Sequence, residues 1–297
     1  MASPPVDARE SGRIARRLEP LHAMVYFAPE AEPRYTEAGL EPGRMGYFAG
    51  RAAPMGAVSA SVVTATFYNF SGELVASAVP KAWTLADPAT LVAARFEIVD
   101  AALRRLLGDD GVASPEVAEA AGLARTAAEA VTPDGRPLAA GHLDLAWPDA
   151  PHLVLWHALS ILREHRGDGH VALLVEAELS GLEALLTATA TGTGFVPGFA
   201  RASRGWSREQ WAAGIAGLRE RGLLDPDAEL ELTAAGEKLR DRIEDDTHRL
   251  GGPPWSALGA EGAARLGELG AGLVRTALTN GAFPAEGVFA PASGRAG

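Results

Sequence analysis

The chain has 297 residues, 27 Lys+Arg against 38 Asp+Glu and a formal charge of -11; with 47% hydrophobic and 22% charged residues it has apolar material for a packed core, which excludes a disordered protein. The absence of cysteine excludes disulfides, thiolate metal sites, iron–sulfur clusters and Cys nucleophiles. No apolar run reaches membrane-spanning length and no secretory h-region opens the sequence, so a cytoplasmic location without a membrane partner is expected, and the net acidity leaves any nucleic-acid binding to a local patch.

Residues 1–10, with Pro4 and Pro5, read as a flexible arm. Apolar residues Ile14, Leu18, Leu21 and Val25 keep a helical spacing from Ser11 to Phe27, with Pro20 as a kink and Pro29 as a stop. Glu32–Leu40 reads as a second, short helix closed by Gly43 and Gly46. The run Val62–Phe70 is β-branched and aromatic, so strand and helix both fit; the Ala and Ser residues before it tip the reading to helix. Leu74–Trp83 and Asp87–Leu107 are helical, the latter started by Asp87-Pro88 and stopped by Gly108. A further helix starts at Ser114 and runs through Ala130 to a turn at "TPDGRP", and "HLDLAWPDAPH" is broken by proline. His152–Arg166 reads as a long amphipathic helix ended by Gly167-Asp168-Gly169, Val171–Thr191 as one or two helices around Gly181, and "TGTGFVPGF" as a break.

Ser207 caps a helix whose apolar stripe is Trp211, Ile215 and Leu218, and Gly222 ends it. Asp225-Pro226-Asp227 is a turn, Glu229–Leu232 alternates as a strand, and Thr233 caps a helix running to about Leu250. Gly259–Thr279 reads as a last helix, with fraying after Pro284. The expected fold is therefore mainly α: a helical N-terminal half plus a C-terminal winged helix-turn-helix with a short two-stranded wing. The expected division is a flexible arm at 1–10, a helical ligand-pocket domain at 11–145, a winged-helix domain at 146–284 and a flexible tail at 285–297.

The stretch "GLRERGLLDPDAELELTAAGEKLRDRIEDDT" resembles the recognition helix, wing and dimer-linking helix of MarR-type winged-helix regulators. Through "LHAMVYFAPEA", "GYFAGRAAPMG", "TATFYNF" and "REHRGDGHVA" the whole chain resembles an actinobacterial helix-turn-helix family, a resemblance that implies the fold and no particular activity. The MarR resemblance implies that Arg201, Arg204, Ser207, Arg208 and Gln210 face a DNA groove, and that the chain is a homodimer or a monomer mimicking one. The wing departs from that pattern. It holds Asp225, Asp227, Glu229 and Glu231 with no basic residue before Lys238, and residues 205–250 carry 7 basic against 11 acidic side chains, so DNA as a partner is disfavoured.

Four histidines, His152, His157, His165 and His170, lie close together in sequence. Neither H-x-x-x-H nor H-E-x-x-H is present, so capping of a helix C-terminus by cationic groups is favoured over a metal site, and no metal or cofactor is expected. His22, Tyr26, Tyr47, Arg51, Tyr68 and Asn69 are polar groups set inside apolar runs, where a pocket places its orienting groups; with His157, Arg163, Glu164, His165 and His170 they are the candidate ligand site. His22 and Tyr26 share a helix face, and Arg51 or Arg163 can hold an anion by a bidentate contact. The chain lacks G-x-S-x-G, and its Gly192–Gly198 stretch lacks the strand and Lys-Ser/Thr of a phosphate loop. Together these features imply a small-molecule-binding protein on a winged-helix scaffold, a ligand-responsive MarR-like regulator; the alternative is an enzyme using a His/Tyr/Glu/Arg acid–base pocket on the same scaffold.

Overall fold

The computed structural model describes residues 6–290. The expected arm and tail thus fall partly on residues 1–5 and 291–297, outside the described residues. α1 (Ala8–Ala23) starts where the Asp7 carboxylate accepts the Arg9 and Glu10 backbone N–H groups, at 3.0 and 3.2 Å. It passes through Pro20 and tightens into a 3₁₀ turn, Met24–Tyr26. α2 (Ala31–Glu37), α3 (Arg44–Ala52) and α4 (Ala60–Phe67) follow. In α4 the β-branched run takes the helical alternative: Thr64 and Thr66 donate their hydroxyls to carbonyls four residues back, which gives each a bonded place inside a helix.

The single helix expected over Leu74–Trp83 is instead α5 (Gly72–Ala76) and α6 (Val79–Leu85). Pro80 favours the break: without an N–H, and with its ring against the carbonyl four residues back, it costs least in a first turn, and here it stands in the first turn of α6. α7 (Pro88–Leu107) opens on an Asp87–Thr90 cap of 2.8 Å and closes at Gly108, whose φ of 79° favours glycine. α8 (Asp109–Val112), α9 (Pro115–Ala128, capped by Ser114) and α10 (Pro137–Leu143) lead to α11 (Pro151–Glu176).

α11 corrects the expected stop at Gly167-Asp168-Gly169, for the helix runs straight through it. These residues serve packing instead. The Asp168 carboxylate accepts the N–H groups of Leu138 and Ala139 at 3.1 and 3.0 Å, capping α10 from another helix. The Arg136 guanidinium lies on bare Gly169, where an added Cβ would stand 2.1 Å from Nη1, and from there donates to the carbonyls of His165 and Leu250. Beside Gly167 the nearest atom, Glu164 Oε2, is 3.6 Å from such a Cβ. Gly169→Ala is therefore expected to lose about 1–3 kcal/mol of stability by displacing Arg136, whereas Gly167→Ala is neutral or gains up to about 1 kcal/mol of helix propensity. Denaturant midpoints of the two variants check this, and equal midpoints would refute it.

α12 (Gly181–Ala190), α13 (Pro197–Ser203), α14 (Arg208–Glu220), α15 (Ala234–Gly251) and α16 (Gly259–Thr279) complete the described helices. Among the described residues the chain divides into two compact units. One holds the described part of 1–58 with Ala78–Gly169 and Thr247–Phe283; the other holds Ser59–Ser77, His170–Asp246 and the described residues from Pro284 onward. In the first unit α1 packs on α16 through bare helix surface, since a Cβ on Gly270 would stand 1.9 Å from Leu18. In the second, Leu186, Leu218, Leu224 and Ile243 form the centre of the core.

The expected two-stranded wing is replaced by one antiparallel bridge, Leu224 to Leu232. Pro226 has no N–H for a ladder, and Arg219 takes the carbonyls of Asp225 and Ala228 at 3.2 and 2.6 Å. The segment after Pro284, expected to fray, is tied by a second bridge from Phe289 to Phe195.

Candidate functional site

In the first unit, α1, α3, α7 and α11 bring buried polar side chains together. Glu164 on α11 is almost fully buried; its carboxylate accepts from Arg51 on α3 by two bonds, 3.2 and 3.0 Å, and from Arg163 at 2.8 Å. Arg163 also reaches Glu19 on α1 at 3.4 Å. Burial alone raises the Glu164 carboxyl, but the Arg163 and Arg51 charges outweigh it and hold the group well below the usual carboxylate range. Burial likewise opposes the Arg51 charge, and Glu164 more than restores it.

His22, one turn further along α1 from Glu19, joins a second chain of bonds whose proton positions follow from its ends. Ser160 donates its hydroxyl to the Trp156 carbonyl at 2.8 Å, so its oxygen receives a proton from His22 Nδ1, 2.9 Å away. With Nδ1 protonated, neutral His22 presents the Nε2 lone pair, which accepts the Tyr26 hydroxyl at 3.0 Å. The Tyr26 oxygen in turn accepts from Arg95 Nη2 at 3.1 Å. Burial first, then the Arg163 charge, pushes the imidazole well below its ordinary value, which favours the neutral form. Burial also raises the Tyr26 phenol, against the pull of Arg95 and Arg51.

Arg95 was not among the sequence candidates. A signal was there, since it stands on the face of α7 that also carries Leu91, Ile98, Val99 and Ala102, all buried. The side chain is 3% exposed, donates to the Gly50 carbonyl at 2.9 Å and lies 5.1 Å from the centroid of the Trp156 ring. Among the described residues no carboxylate pairs with it, and its Nε has no hydrogen-bond partner. It lines a cleft of about 230 Å³ together with Arg51 and the phenols Tyr26, Tyr35 and Tyr47. Glu32 and Glu41 also border this cleft, and Glu41 is paired with Lys81 at 2.5 Å.

The structure thus gathers His22, Tyr26, Tyr47, Arg51, Arg163 and Glu164. His157 and His165 do not join them. His157 packs against Trp147, Phe96 and His142, and none of the four ring nitrogens of His142 and His157 has a hydrogen-bond partner. Burial, aided by Arg95, lowers His157 to about 4 and His142 well below its ordinary value. His165 is buried near Arg136, and burial with that charge lowers it to about 4. Because α11 continues to Glu176, none of these histidines caps its C-terminus as the sequence suggested. Among the described residues no three His, Asp or Glu side chains gather as a metal site requires. Tyr68, Asn69 and His170 belong to the second unit. There the Tyr68 hydroxyl donates to the Leu179 carbonyl at 2.5 Å, and the Asn69 carbonyl accepts from Trp206.

The second unit also contains α13, a four-residue turn and α14. Gly205 in the turn has a φ of 73° and no room for a Cβ, which would meet Leu74 at 2.7 Å. Ser207 and Gln210 bond one another as a capping box on α14. Arg204 is stacked between Phe70 and Phe195, and Arg201 donates to the Trp206 carbonyl. Arg221 reaches Glu183 and the carbonyls of Ala177 and Glu178. Arg208 is exposed on the first turn of α14 beside Glu209.

The chain belongs to a helix-turn-helix family, whose model matches residues 11–284. No curated protein and no solved structure matches it. No helix among the described residues is long and apolar enough to cross a membrane.

Proposed function

We propose that this helix-turn-helix protein binds a small organic monoanion in the cleft lined by Tyr26, Tyr47, Arg51 and Arg95. The observation that carries the reading is Arg95. A buried guanidinium without a carboxylate is costly, and the other two arginines of the cluster, Arg51 and Arg163, already share Glu164. One positive charge is left for a ligand to neutralise. The phenols beside it offer apolar faces with polar tips, and a cleft of about 230 Å³ suits a compact ligand rather than a drug-sized one.

Calorimetric titration and thermal shift with small carboxylates such as benzoate, phenylacetate and 3-phenylpropionate test the reading. At least one is expected to bind, and Arg95→Gln is expected to weaken it at least 30-fold, in line with loss of about 2 kcal/mol or more from a charged hydrogen bond. Absence of binding by every carboxylate, or affinity unchanged in Arg95→Gln, removes the proposal.

Whether the protein is in addition a MarR-like regulator depends on the second unit. The α13–turn–α14 geometry supports it. The charge balance opposes it, since Arg201, Arg204, Arg219 and Arg221 bond within the protein while Asp227, Glu229 and Glu231 are exposed. We therefore place ligand binding first. A second reading, an enzyme using the same cleft, draws support from the Tyr26–His22–Ser160 chain, which links a phenol at the cleft to a buried base.

A further inference from the structure

The bonding of Tyr26 specifies more than the charge of the ligand. Its proton is committed to His22 Nε2 and one lone-pair direction of its oxygen to Arg95, so what the hydroxyl retains for a cleft ligand is acceptor capacity alone. The orientation is enforced from a distance. The Trp156 carbonyl can only accept, which sets Ser160, then His22, then Tyr26. Rotating the Tyr26 proton toward the cleft would strand the buried His22 Nε2 without a partner, and an unpaired buried acceptor is among the more costly faults a fold can carry. Protonating His22 would free that proton, but burial and the Arg163 charge oppose it. The cleft therefore combines an uncompensated guanidinium, Arg95, with a phenolic oxygen that can receive a proton and has none to offer.

We propose that the cleft selects small monoanions carrying an O–H or N–H donor, read by the Tyr26 hydroxyl oxygen while Arg95 holds the anionic group, over the same anions lacking that donor. Tyr26 is the specificity-determining residue, and His22 and Ser160 are positioning residues that fix which way its proton faces. The inference rests on the anion reading above. Selection of this kind is strong, because a site built around a buried acceptor discriminates by more than one extra apolar contact can.

The test compares matched pairs differing by one hydroxyl: benzoate with 3- and 4-hydroxybenzoate, phenylacetate with mandelate, and 3-phenylpropionate with 3-phenyllactate. In the wild-type protein at least one hydroxylated member is expected to bind ten-fold or more tightly than its parent. Tyr26→Phe is expected to remove that preference while the parent anion still binds, and a melting curve confirms that the variant is folded. His22→Phe frees the Tyr26 proton and is expected to shrink the preference as well, without touching the anion contact. If parents and hydroxylated members bind alike in the wild type, the inference falls and the anion site stands. If none of the anions binds, both fall. A preference that survives in folded Tyr26→Phe also overturns the inference.

Discussion

Replacing Glu164 by Ala is expected to cost about 3–5 kcal/mol of stability and lower Tm by roughly 10 °C, because it leaves Arg51 buried without its counter-ion. Glu164 is 1% exposed and accepts two bonds from Arg51 and one from Arg163, so its removal leaves the Arg51 guanidinium, 10% exposed at the edge of the cleft, without the carboxylate that holds it. Arg163 is less affected, since it is partly exposed and keeps Glu19 at 3.4 Å. Glu164→Gln should fall nearly as far. Its amide fills the same space yet cannot neutralise a guanidinium, and its NH₂ group faces donors. The double variant Glu164→Met/Arg51→Met separates the worth of the pair from the penalty of breaking it. If the penalty dominates, the double variant recovers most of the loss, as a hydrophobic replacement of a buried pair commonly does. Urea unfolding of the three variants measures this; a loss under 1 kcal/mol in Glu164→Ala would show that Arg51 finds water or another partner.

Acid is expected to destabilise the fold steeply between pH 6.5 and 4. His157 and His165 are lowered to about 4 in the folded protein, each from 6.5, while unfolded imidazoles keep the ordinary value. Between those limits the unfolded chain binds more protons, so stability is complete above pH 6.5 and is lost as pH falls through the folded pKa. Each histidine accounts for about 3 kcal/mol over that interval. His22 and His142, buried and held well below the ordinary value, act in the same direction. Two carboxyls act in the opposite one. Burial raises Asp168 to about 6 against its two backbone bonds, and raises Glu19 against Arg163, so protonating them favours the folded state as pH falls. The imidazoles outweigh these two carboxyls, and Glu164, held low by Arg163 and Arg51, adds to the loss in acid. Unfolding free energies at pH 7.5, 5.5 and 4.5 should therefore fall in that order, and His157→Phe, a ring placed among Phe96 and Trp147, should flatten the slope. A constant or rising stability toward pH 4.5 contradicts the assignment.

Much of the helical order was legible because it is written locally. Asp87-Pro88 and Gly108 bound α7 where the residues predict, and α16 spans the predicted Gly259–Thr279. The failures came where a residue answers to a distant partner. Gly167 and Gly169 look like a helix stop, but nothing local reveals that Arg136 will lie on Gly169 or that Asp168 will cap another helix. Glu229–Leu232 reads as a strand, yet it pairs by a single bridge, and the turn before it is held by Arg219 on the carbonyls of Asp225 and Ala228. Of the polar residues set in apolar runs, Tyr26, Tyr47 and Arg51 line the cleft and His22 bonds Tyr26 from behind it, because burying such groups requires partners. The sharing of Glu164 between two arginines, and the lack of an acid for Arg95 among the described residues, depend on which helix faces lie opposite, and that is information no single segment holds.

The packing of α1 on α16 also bears on how the chain is made. Helix α1, whose Ile14 and Leu18 lie against Gly267 and Gly270, meets this part of its cover only when a segment roughly 240 residues later has been synthesised. At ordinary elongation rates that leaves an apolar stripe uncovered for some tens of seconds, long enough for a chaperone or another nascent chain to find it. A ribosome stalled before α16 should thus expose a hydrophobic surface that the finished protein hides.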